Sequence, residues 1–586
     1  MSFVSRGELG VINYFSFTQS PIPNPQSPIP NPQFVNNQRS FFNFLVPGVI
    51  ALLAIAIAGF YWFFAKSPAN LIAPTSQPGA AIFVSKFAPV MTSLLVNPDK
   101  LQNLGGDGEL SQIKTSLLAK SGIDYRQDIQ PWLGSEITLA VTNLDIDRDP
   151  ENGQQPGYLM ALATKKPEKS REFIQLLFSK RVLAGSNLVT EEYKGVKLLY
   201  DNSPKQVSLA GALVGNDFVL FANDRKVLRE AINNVQAPDL NLTSSPQYQK
   251  ATQELPKNAL AVAFLNLPTV AKWQGLELSA PSYDSQIISL ILNSKGLLAE
   301  TSFLATSAGV SPSAPLSQPV GALAYVPESA GLAISGANLS NLGNSDLAQL
   351  WRQATATVYG SSEEAIAKLA QPLADVQKRW GINLTADIFS WVKGEYAIAL
   401  LPQKQQKTAS WIFAVEKTPE VSAGISHLDA IAIAKGLSIS PLTLNQQKVS
   451  TWTELTAASK PTTTKDKPPL TVEAKIQGVH TTIENYEIFT SDLETMNQVL
   501  TIKENSLIDN PNFQDSIAAI PRPNQGYIYL DWIKSQQFLE RQIPILKLVE
   551  VFGKPFFHNL RSLTVSSYSS NTELLKGGVF FQLHHP

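Results

Sequence analysis

The chain has 586 residues, enough for more than one folded unit; 44% are hydrophobic, 16% are charged and none is cysteine. Its net charge is -1, from 47 Lys and Arg against 48 Asp and Glu, whereas general nucleic-acid-binding proteins carry a basic excess. These values exclude a globally disordered chain and argue against nucleic acid as a partner, and the lack of cysteine excludes disulfides, thiolate metal sites, a thiol nucleophile and a cysteine-linked lipid anchor.

Residues 1–40 are predicted to form a disordered, proline-rich tail. The heptad Ser-Pro-Ile-Pro-Asn-Pro-Gln occurs at residues 20–26 and again, identically, at residues 27–33. Its prolines have no backbone N–H group and favour an extended chain. A proline-rich ligand for a partner is the alternative interpretation.

An uncharged segment follows, from residue 40 to residue 65. A helix needs about 20 apolar residues to cross a bilayer, and residues 44–65 supply them. Aromatic residues flank both ends, as at the two interfaces of a membrane: Phe41, Phe42 and Phe44, then Phe60, Tyr61, Trp62, Phe63 and Phe64. We therefore predict a transmembrane helix over residues 41–66, with the lipid bilayer as partner, and a linker over residues 67–74. A buried core helix and a cleaved signal peptide are the alternatives.

The charges beside this segment, Arg39 and Lys66, do not decide its orientation. No other run of comparable length and apolarity follows, so we expect the rest of the chain on one side of the membrane. A short tail, one helix and a large domain form the usual layout of an export anchor. We therefore expect an extracytoplasmic C-terminal domain, and nothing in the sequence specifies its oligomeric state.

The chain contains an internal repeat. Residues 122–136 and residues 381–395 share the skeleton Gly-Ile-(Asp/Asn)-x3-Asp-Ile-x2-Trp-(Leu/Val)-x2-Glu. Five more pairs of similar segments keep the same order: 77–84 with 318–326, 217–224 with 485–492, 246–248 with 511–513, 263–266 with 528–531, and 297–304 with 574–581. Because ordered matches indicate duplication, we predict two tandem modules, at residues 75–306 and 317–586, joined by a linker at 307–316.

Each module is predicted to be α+β, with a mostly antiparallel sheet and helices. Two hairpins are predicted, residues 137–143 with 158–164 and residues 396–401 with 410–415. Helical periodicity marks residues 170–183 and 365–380. Asp224 and Asp492 are placed to cap helices that follow a strand in each module. Two segments without a counterpart in the other module, 145–157 and 460–469, are predicted to be solvated insertions.

These features together resemble a known family. They are the single N-terminal membrane helix, Gln-Pro-Gly-Ala-Ala-Ile-Phe-Val at residues 77–84, Leu-Leu-Val-Asn-Pro at 94–98, and Gly-Ile-x4-Asp-Ile-x2-Trp-Leu-Gly-Ser-Glu at 122–136. The chain resembles the cyanobacterial membrane-anchored family catalogued as domain of unknown function 3352, over nearly everything after about residue 41. The family has no assigned activity, so the resemblance transfers no functional residue.

One acidic segment is a candidate metal site. Asp145, Asp147, Asp149 and Glu151 alternate along the chain, and closely spaced carboxylates suit Ca²⁺. An EF-hand loop, however, needs Gly at its sixth position and Glu at its twelfth, and both positions hold proline here. We favour a polar hairpin tip, with calcium as the alternative, and predict no other cofactor.

The repeated motif supplies three pairs of candidate residues: Asp128 and Asp387, Trp132 and Trp391, and Glu136 and Glu395. Each Asp is predicted to start a short helix, and each Trp to pack before the chain turns into a core strand. A symmetric binding site at the interface of the modules is the alternative. We favour the packing role.

No motif for catalysis is found. The five histidines do not form the two-histidine zinc pattern, and the Gly-x-Ser-x-Gly, phosphate-loop and dinucleotide motifs are missing. We therefore predict a non-enzymatic, single-pass membrane protein that binds a protein, lipid or polymer of the envelope or thylakoid, with its C-terminal domain periplasmic or thylakoid-lumenal. The alternative is a hydrolase of unrecognised type that uses carboxylates between the two modules.

Overall fold

The computed structural model describes most of the chain after residue 76. The described residues are 77–96, 124–149, 151, 153–201, 208–274, 283–305, 315–340, 346, 350, 382–402, 409–459, 470–502, 505–542, 554–571 and 573–584. Several predicted segments lie outside them, wholly or nearly so: the tail at 1–40, the membrane helix at 41–66, the linkers at 67–74 and 307–316, the helix at 365–380 and the insertion at 460–469. Within the described residues, no helix combines the length and the apolarity needed to cross a bilayer.

Twenty described strands form one sheet. The ten strands before residue 305 are β1 Val90–Leu94, β2 Leu133–Asn143, β3 Gly157–Thr164, β4 Leu188–Tyr193, β5 Val196–Asp201, β6 Ala210–Val214, β7 Phe218–Ala222, β8 Ala259–Asn266, β9 Ser285–Asn293 and β10 Gly296–Leu304. The ten that follow are β11 Leu332–Ala337, β12 Glu395–Leu401, β13 Ser410–Glu416, β14 Ser438–Leu444, β15 Gln447–Ser459, β16 Leu470–Ile483, β17 Tyr486–Thr490, β18 Tyr527–Asp531, β19 Leu560–Asn571 and β20 Leu574–Leu583.

Nine α-helices lie in the described part of the chain. They are α1 Pro167–Leu183, α2 Arg225–Gln236, α3 Pro246–Gln253, α4 Leu267–Gln274, α5 Pro419–Ala434, α6 Leu493–Leu500, α7 Pro511–Ala518, α8 Trp532–Gln542 and α9 Lys554–Asn559. The helix predicted at residues 170–183 is confirmed as α1, which begins at Pro167, where a missing N–H costs little. The α+β class predicted from the sequence is confirmed.

Every pairing between the described strands is antiparallel, and the two predicted hairpins are confirmed as β2–β3 and β12–β13. Across the sheet the order is β4-β5-β6-β7-β3-β2-β1-β8-β9-β10 and then β20-β19-β18-β11-β12-β13-β17-β16-β15-β14. From each edge inward, the ten strands of each half follow the same order. The halves meet where β10 pairs with β20, from Gly296 opposite Gln582 to Leu304 opposite Leu574.

Helices pack on both faces of the sheet because successive strand residues point to opposite sides. In β7, Leu220 belongs to the core that includes Val227 of α2, whereas Val219 and Phe221 belong to the core that includes Phe173 of α1. The second half repeats this division, with separate cores on its two sides. This double covering explains why the central strands are rich in apolar residues rather than alternating.

Both predicted helix caps are confirmed. Asp224 accepts a hydrogen bond from the backbone N–H of Lys226 at 2.7 Å, at the start of α2. At the start of α6, Asp492 accepts from the N–H of Thr495 at 2.8 Å and from the hydroxyl of Ser491 at 2.6 Å. Burial raises the pKa of Asp492, but these hydrogen bonds outweigh it, and the pKa lies below its usual value.

Replacing Asp492 with Ala is expected to cost about 1–2 kcal/mol of stability at pH 7, because several donors lose their acceptor. Since its folded-state pKa is lowered, the Asp492 carboxylate stabilises fully above the unfolded pKa of about 3.9, and this contribution is lost as the pH falls below it. Urea unfolding at pH 7 and pH 3 measures the difference. Asp224→Ala is the control, with a smaller loss at pH 7. An equal cost of Asp492→Ala at both pH values would contradict this expectation.

Candidate ligand-binding cleft

The repeated tryptophans are packing residues. Trp132 is 1% exposed and Trp391 is 8% exposed. The indole Nε1 of Trp132 donates to the backbone oxygen of Asp128 at 2.7 Å, and that of Trp391 donates to the backbone oxygen of Asp387 at 2.6 Å. Each indole therefore closes the turn that precedes its strand.

The two Asp residues of the motif lie near the end of the short helices Tyr125–Ile129 and Leu384–Ile388 and not at the start, where they were predicted, and their carboxylates complete these turns. Asp128 accepts from the backbone N–H of Asp124 at 2.9 Å, and Asp387 accepts from that of Asn383 at 2.7 Å. Because each carboxylate bonds a backbone amide four residues earlier, it stabilises its own turn. Neither bond requires a ligand.

The two glutamates of the motif hold distant backbone segments. Glu136 accepts from the N–H groups of Gly79 and Ala80, both at 2.9 Å, where a 3-10 helix begins. Glu395 accepts from the N–H of Gly321 at 2.7 Å, at the start of the matching 3-10 helix, and from the hydroxyl of Tyr486 at 2.8 Å. The sequence shows the repeated Glu but gives no signal for these partners. Each Glu links the beginning of its half to a central strand.

The structure does not bring the two motifs together. Trp132 belongs to the core beside α1, and Trp391 to the core beside α5. In the sheet, eight strands separate β2 from β12. The symmetric site at the interface of the modules therefore gains no support, and packing accounts for both tryptophans.

The acidic segment forms a turn between β2 and β3. The N–H of Asp149 donates to the carboxylate of Asp147 at 3.2 Å, and the N–H of Glu151 donates to the carboxylate of Asp149 at 3.0 Å. Together with Asp145, these were the calcium candidates. Among the residues whose positions are described, no three His, Asp or Glu side chains form a group suited to a metal ion. Calcium binding at this turn stays an untested alternative to the polar hairpin tip.

Two carboxylates share one lysine near the junction of the halves. The Lys576 ammonium lies 3.0 Å from the carboxylate of Glu300 and 3.5 Å from that of Glu254. The hydroxyl of Tyr568 donates to Glu300 at 2.7 Å, and burial together with the Glu300 charge raises the pKa of Tyr568. Lys576 therefore compensates the charge of both carboxylates. This pair gives no support to a carboxylate hydrolase.

A second buried polar group lies in the core of the second half. His480 stacks on Trp452, with ring centroids 5.0 Å apart, and its Nδ1 lies 3.0 Å from the carboxylate of Glu487. The first half has Gly211 opposite Phe221, where the second half has His480 opposite Phe489. The two halves therefore differ at this position, because only the second half has a polar side chain there. Aromatic rings enclose that side chain.

A cleft of about 380 Å³ lies between α8 and α9. Its volume falls within the 300–1,000 Å³ that is usual for small-molecule sites. The residues that line it are Trp532, Ile533, Gln536, Phe557, His558, Asn559, Leu560, Arg561 and His584. None of them is acidic, and none is a serine or threonine that would serve as a nucleophile.

Three neighbouring strands position the cleft. α8 follows β18, α9 precedes β19, and His584 follows β20. The backbone N–H of His584 donates to the backbone oxygen of Asn559 at 2.7 Å, which holds the residue after β20 against α9. Trp532 is 5% exposed and packs 5.2 Å from the ring of Phe557, while Ile533 is 72% exposed. The aromatic wall is therefore built into the core, and an apolar side chain stands open beside it.

The charge of the cleft comes from Arg561. Its guanidinium contacts Nδ1 of His584 and donates to the side-chain oxygen of Asn512 at 3.4 Å. Within the described ranges, no carboxylate pairs with Arg561. The cleft thus combines an aromatic wall with a cation that has no acidic partner among the described residues. In the sequence, His558 and His584 are two of five histidines without a motif, and nothing marks Arg561.

Comparison with known proteins gives one family match. The family model described as "Protein of unknown function (DUF3352)" matches residues 45–583. Among solved structures, crystal forms I and IV of TP0453 are similar at 11% sequence identity and a TM-score of 0.23 each, over 40% and 39% of this chain and 81% and 80% of theirs. A search of curated proteins found no match.

Proposed function

Since the chain belongs to the DUF3352 family of proteins of unknown function, we propose that it is a non-enzymatic, membrane-anchored binding protein that takes the apolar part of a small ligand into the cleft between α8 and α9. The cleft carries this proposal, because its wall presents the apolar side chains of Trp532, Ile533 and Phe557, and none of the described residues that line it is a carboxylate or a hydroxyl nucleophile. Binding without turnover is what such a lining supports.

The anchor is the apolar segment at residues 44–65, which holds the protein in a cyanobacterial envelope or thylakoid membrane with its large domain periplasmic or lumenal. Deleting residues 1–66 is expected to release a protein that needs no detergent for extraction, because the deletion removes the predicted helix. Carbonate washing and centrifugation of membranes measure this. If the shortened chain stays in the membrane fraction, the anchor lies elsewhere.

The domain arose by duplication of one ten-strand unit, with modules at residues 75–306 and 317–586. The shared strand order and the matching bonds of Trp132 and Trp391 support this origin. The His480 group and the cleft between α8 and α9 are then both built from side chains of the second module. We therefore assign binding to the second module. The first module contributes the other ten described strands of the sheet and the helices that cover them.

The lack of cysteine allows a site-specific binding experiment on the full chain. Ile533→Cys places one thiol at the cleft, and Ile433→Cys places one on α5, where the native side chain is 63% exposed. In phosphatidylcholine nanodiscs, decan-1-ol is expected to slow maleimide modification of the Ile533→Cys variant at least about threefold, because an apolar ligand covers this position.

The Ile433→Cys variant is expected to react at an unchanged rate. Equal slowing of both variants would indicate a general effect of the alcohol, and no slowing of either would contradict apolar binding in the cleft. Turnover of a glycan, ester, phosphate or peptide substrate that is lost in Glu300→Gln would contradict the non-enzymatic role.

A further inference from the structure

We infer that the cleft selects ligands whose apolar chain or ring ends in an oxyanion, a carboxylate or a phosphate. This inference rests on the proposed function, since it names the chemistry of a ligand for the same cleft. Its basis is the position of Arg561 beside an aromatic wall.

Arg561 differs from other partly buried arginines of the chain. Arg181 pairs with Asp201 at 2.7 Å, and Arg229 pairs with Glu191 at 2.6 Å. In the part of the chain that the structure describes, the side-chain partners of Arg561 are Asn512 and His584, and neither is a carboxylate. A guanidinium presents a planar fork of donors that matches a carboxylate or a phosphate in two parallel hydrogen bonds.

The histidine beside Arg561 strengthens this preference. When Nδ1 of His584 accepts a hydrogen bond from the guanidinium, the ring carries its hydrogen on Nε2, which leaves that nitrogen as a donor. His558 also lines the cleft. A ligand oxyanion therefore meets donors in α9, in β19 and directly after β20, and none of the described lining residues is a carboxylate that would repel it.

Desolvation makes the choice of head group selective. A ligand that lies on Trp532, Ile533 and Phe557 also covers Arg561, because all four line one cleft. Covering a charged group with a neutral ligand removes water without replacing its hydrogen bonds, which is unfavourable. An oxyanion at the end of the same ligand restores both the charge balance and the hydrogen bonds. The cleft therefore favours an anionic amphiphile over a neutral one of equal chain length.

Three ligands with the same ten-carbon chain test this inference: decan-1-ol, decanoate and decyl phosphate. With the full-length Ile533→Cys variant in phosphatidylcholine nanodiscs, the two anions are expected to protect the thiol at concentrations at least about tenfold lower than the alcohol, since only the anions form a charge-assisted pair with Arg561. Adding Arg561→Gln is expected to remove this difference. Adding Arg225→Gln, at an arginine that bonds Tyr200 at 2.8 Å in the first half, is expected to leave it intact.

The outcomes separate the two proposals. Equal protection by all three ligands would overturn the selectivity for anions while leaving apolar binding in place. No protection by any of them would overturn both.

Nanodiscs in which phosphatidic acid replaces a third of the phosphatidylcholine distinguish a lipid head group from a free amphiphile. Protection of the thiol without added ligand indicates that the lipid head group binds. Protection only by the added anions indicates that a free amphiphile binds.

Discussion

Trp132→Ala is expected to lower the free energy of unfolding by about 3–5 kcal/mol, and Trp391→Ala by a similar amount. Trp132 packs 5.3 Å from the ring of Phe173, and Trp391 packs so closely on α5 that a Cβ at Gly424 would lie 2.5 Å from the indole. Truncation leaves a cavity between helix and sheet and deprives a backbone oxygen of its donor. Urea unfolding of the full chain at pH 7 measures the loss.

Leu183→Ala serves as the control, because Leu183 is 88% exposed at the end of α1. Its cost is expected to stay within about 0.5 kcal/mol. Losses under about 1 kcal/mol for both tryptophan variants would contradict a packing role, since side chains of this size and burial do not leave a core at so small a cost.

Lys576→Met is expected to cost about 3 kcal/mol, because it leaves Glu300 in β10 without its ammonium partner. The side chains of Lys576 and Glu300 are 18% and 11% exposed, so water replaces little of the lost interaction. The hydroxyl of Tyr568 still donates a hydrogen bond to Glu300 in this variant. The loss of stability is therefore expected near the lower end of the range of about 3–5 kcal/mol for removing one partner of a buried ion pair. The variant therefore tests whether the junction of β10 and β20 stabilises the whole sheet.

Lys250→Met is the matched control, since Lys250 also joins the two halves through its ion pair with Glu573. These side chains are 41% and 55% exposed, and an exposed pair contributes about 1 kcal/mol or less. A similar small loss in both variants would mean that the junction does not depend on the buried pair.

The parts of the fold that local chemistry determines were predictable. Asp224 and Asp492 were recognised as caps because the acceptor and the amide that it bonds lie two or three residues apart. The β2–β3 and β12–β13 hairpins were recognised because each joins apolar segments that are close in the chain. The pairing of β10 with β20 was not predictable, because even the nearest paired residues, Leu304 and Leu574, lie 270 positions apart (574 − 304) and no local pattern specifies the partner.

The site was less predictable than the fold for a similar reason. The repeated Trp and Glu residues stand out in the sequence, yet their contacts are to the backbone and serve packing. The cleft combines Trp532, Phe557, Arg561 and His584, which come from three separate segments without a fixed spacing. Arg561 differs from other arginines only in the partners that the fold gives it, and a sequence does not display those partners.

Hydrogen–deuterium exchange of the full chain in phosphatidylcholine nanodiscs, with and without decanoate, tests the binding role of the cleft most directly. Slower exchange is expected in α8 and α9 when decanoate is present, because a ligand between these helices suppresses their local opening. Exchange in α5 on the second half is expected to stay unchanged. Unchanged exchange in α8 and α9, or protection that appears in α5 instead, would contradict the assignment of ligand binding to this cleft.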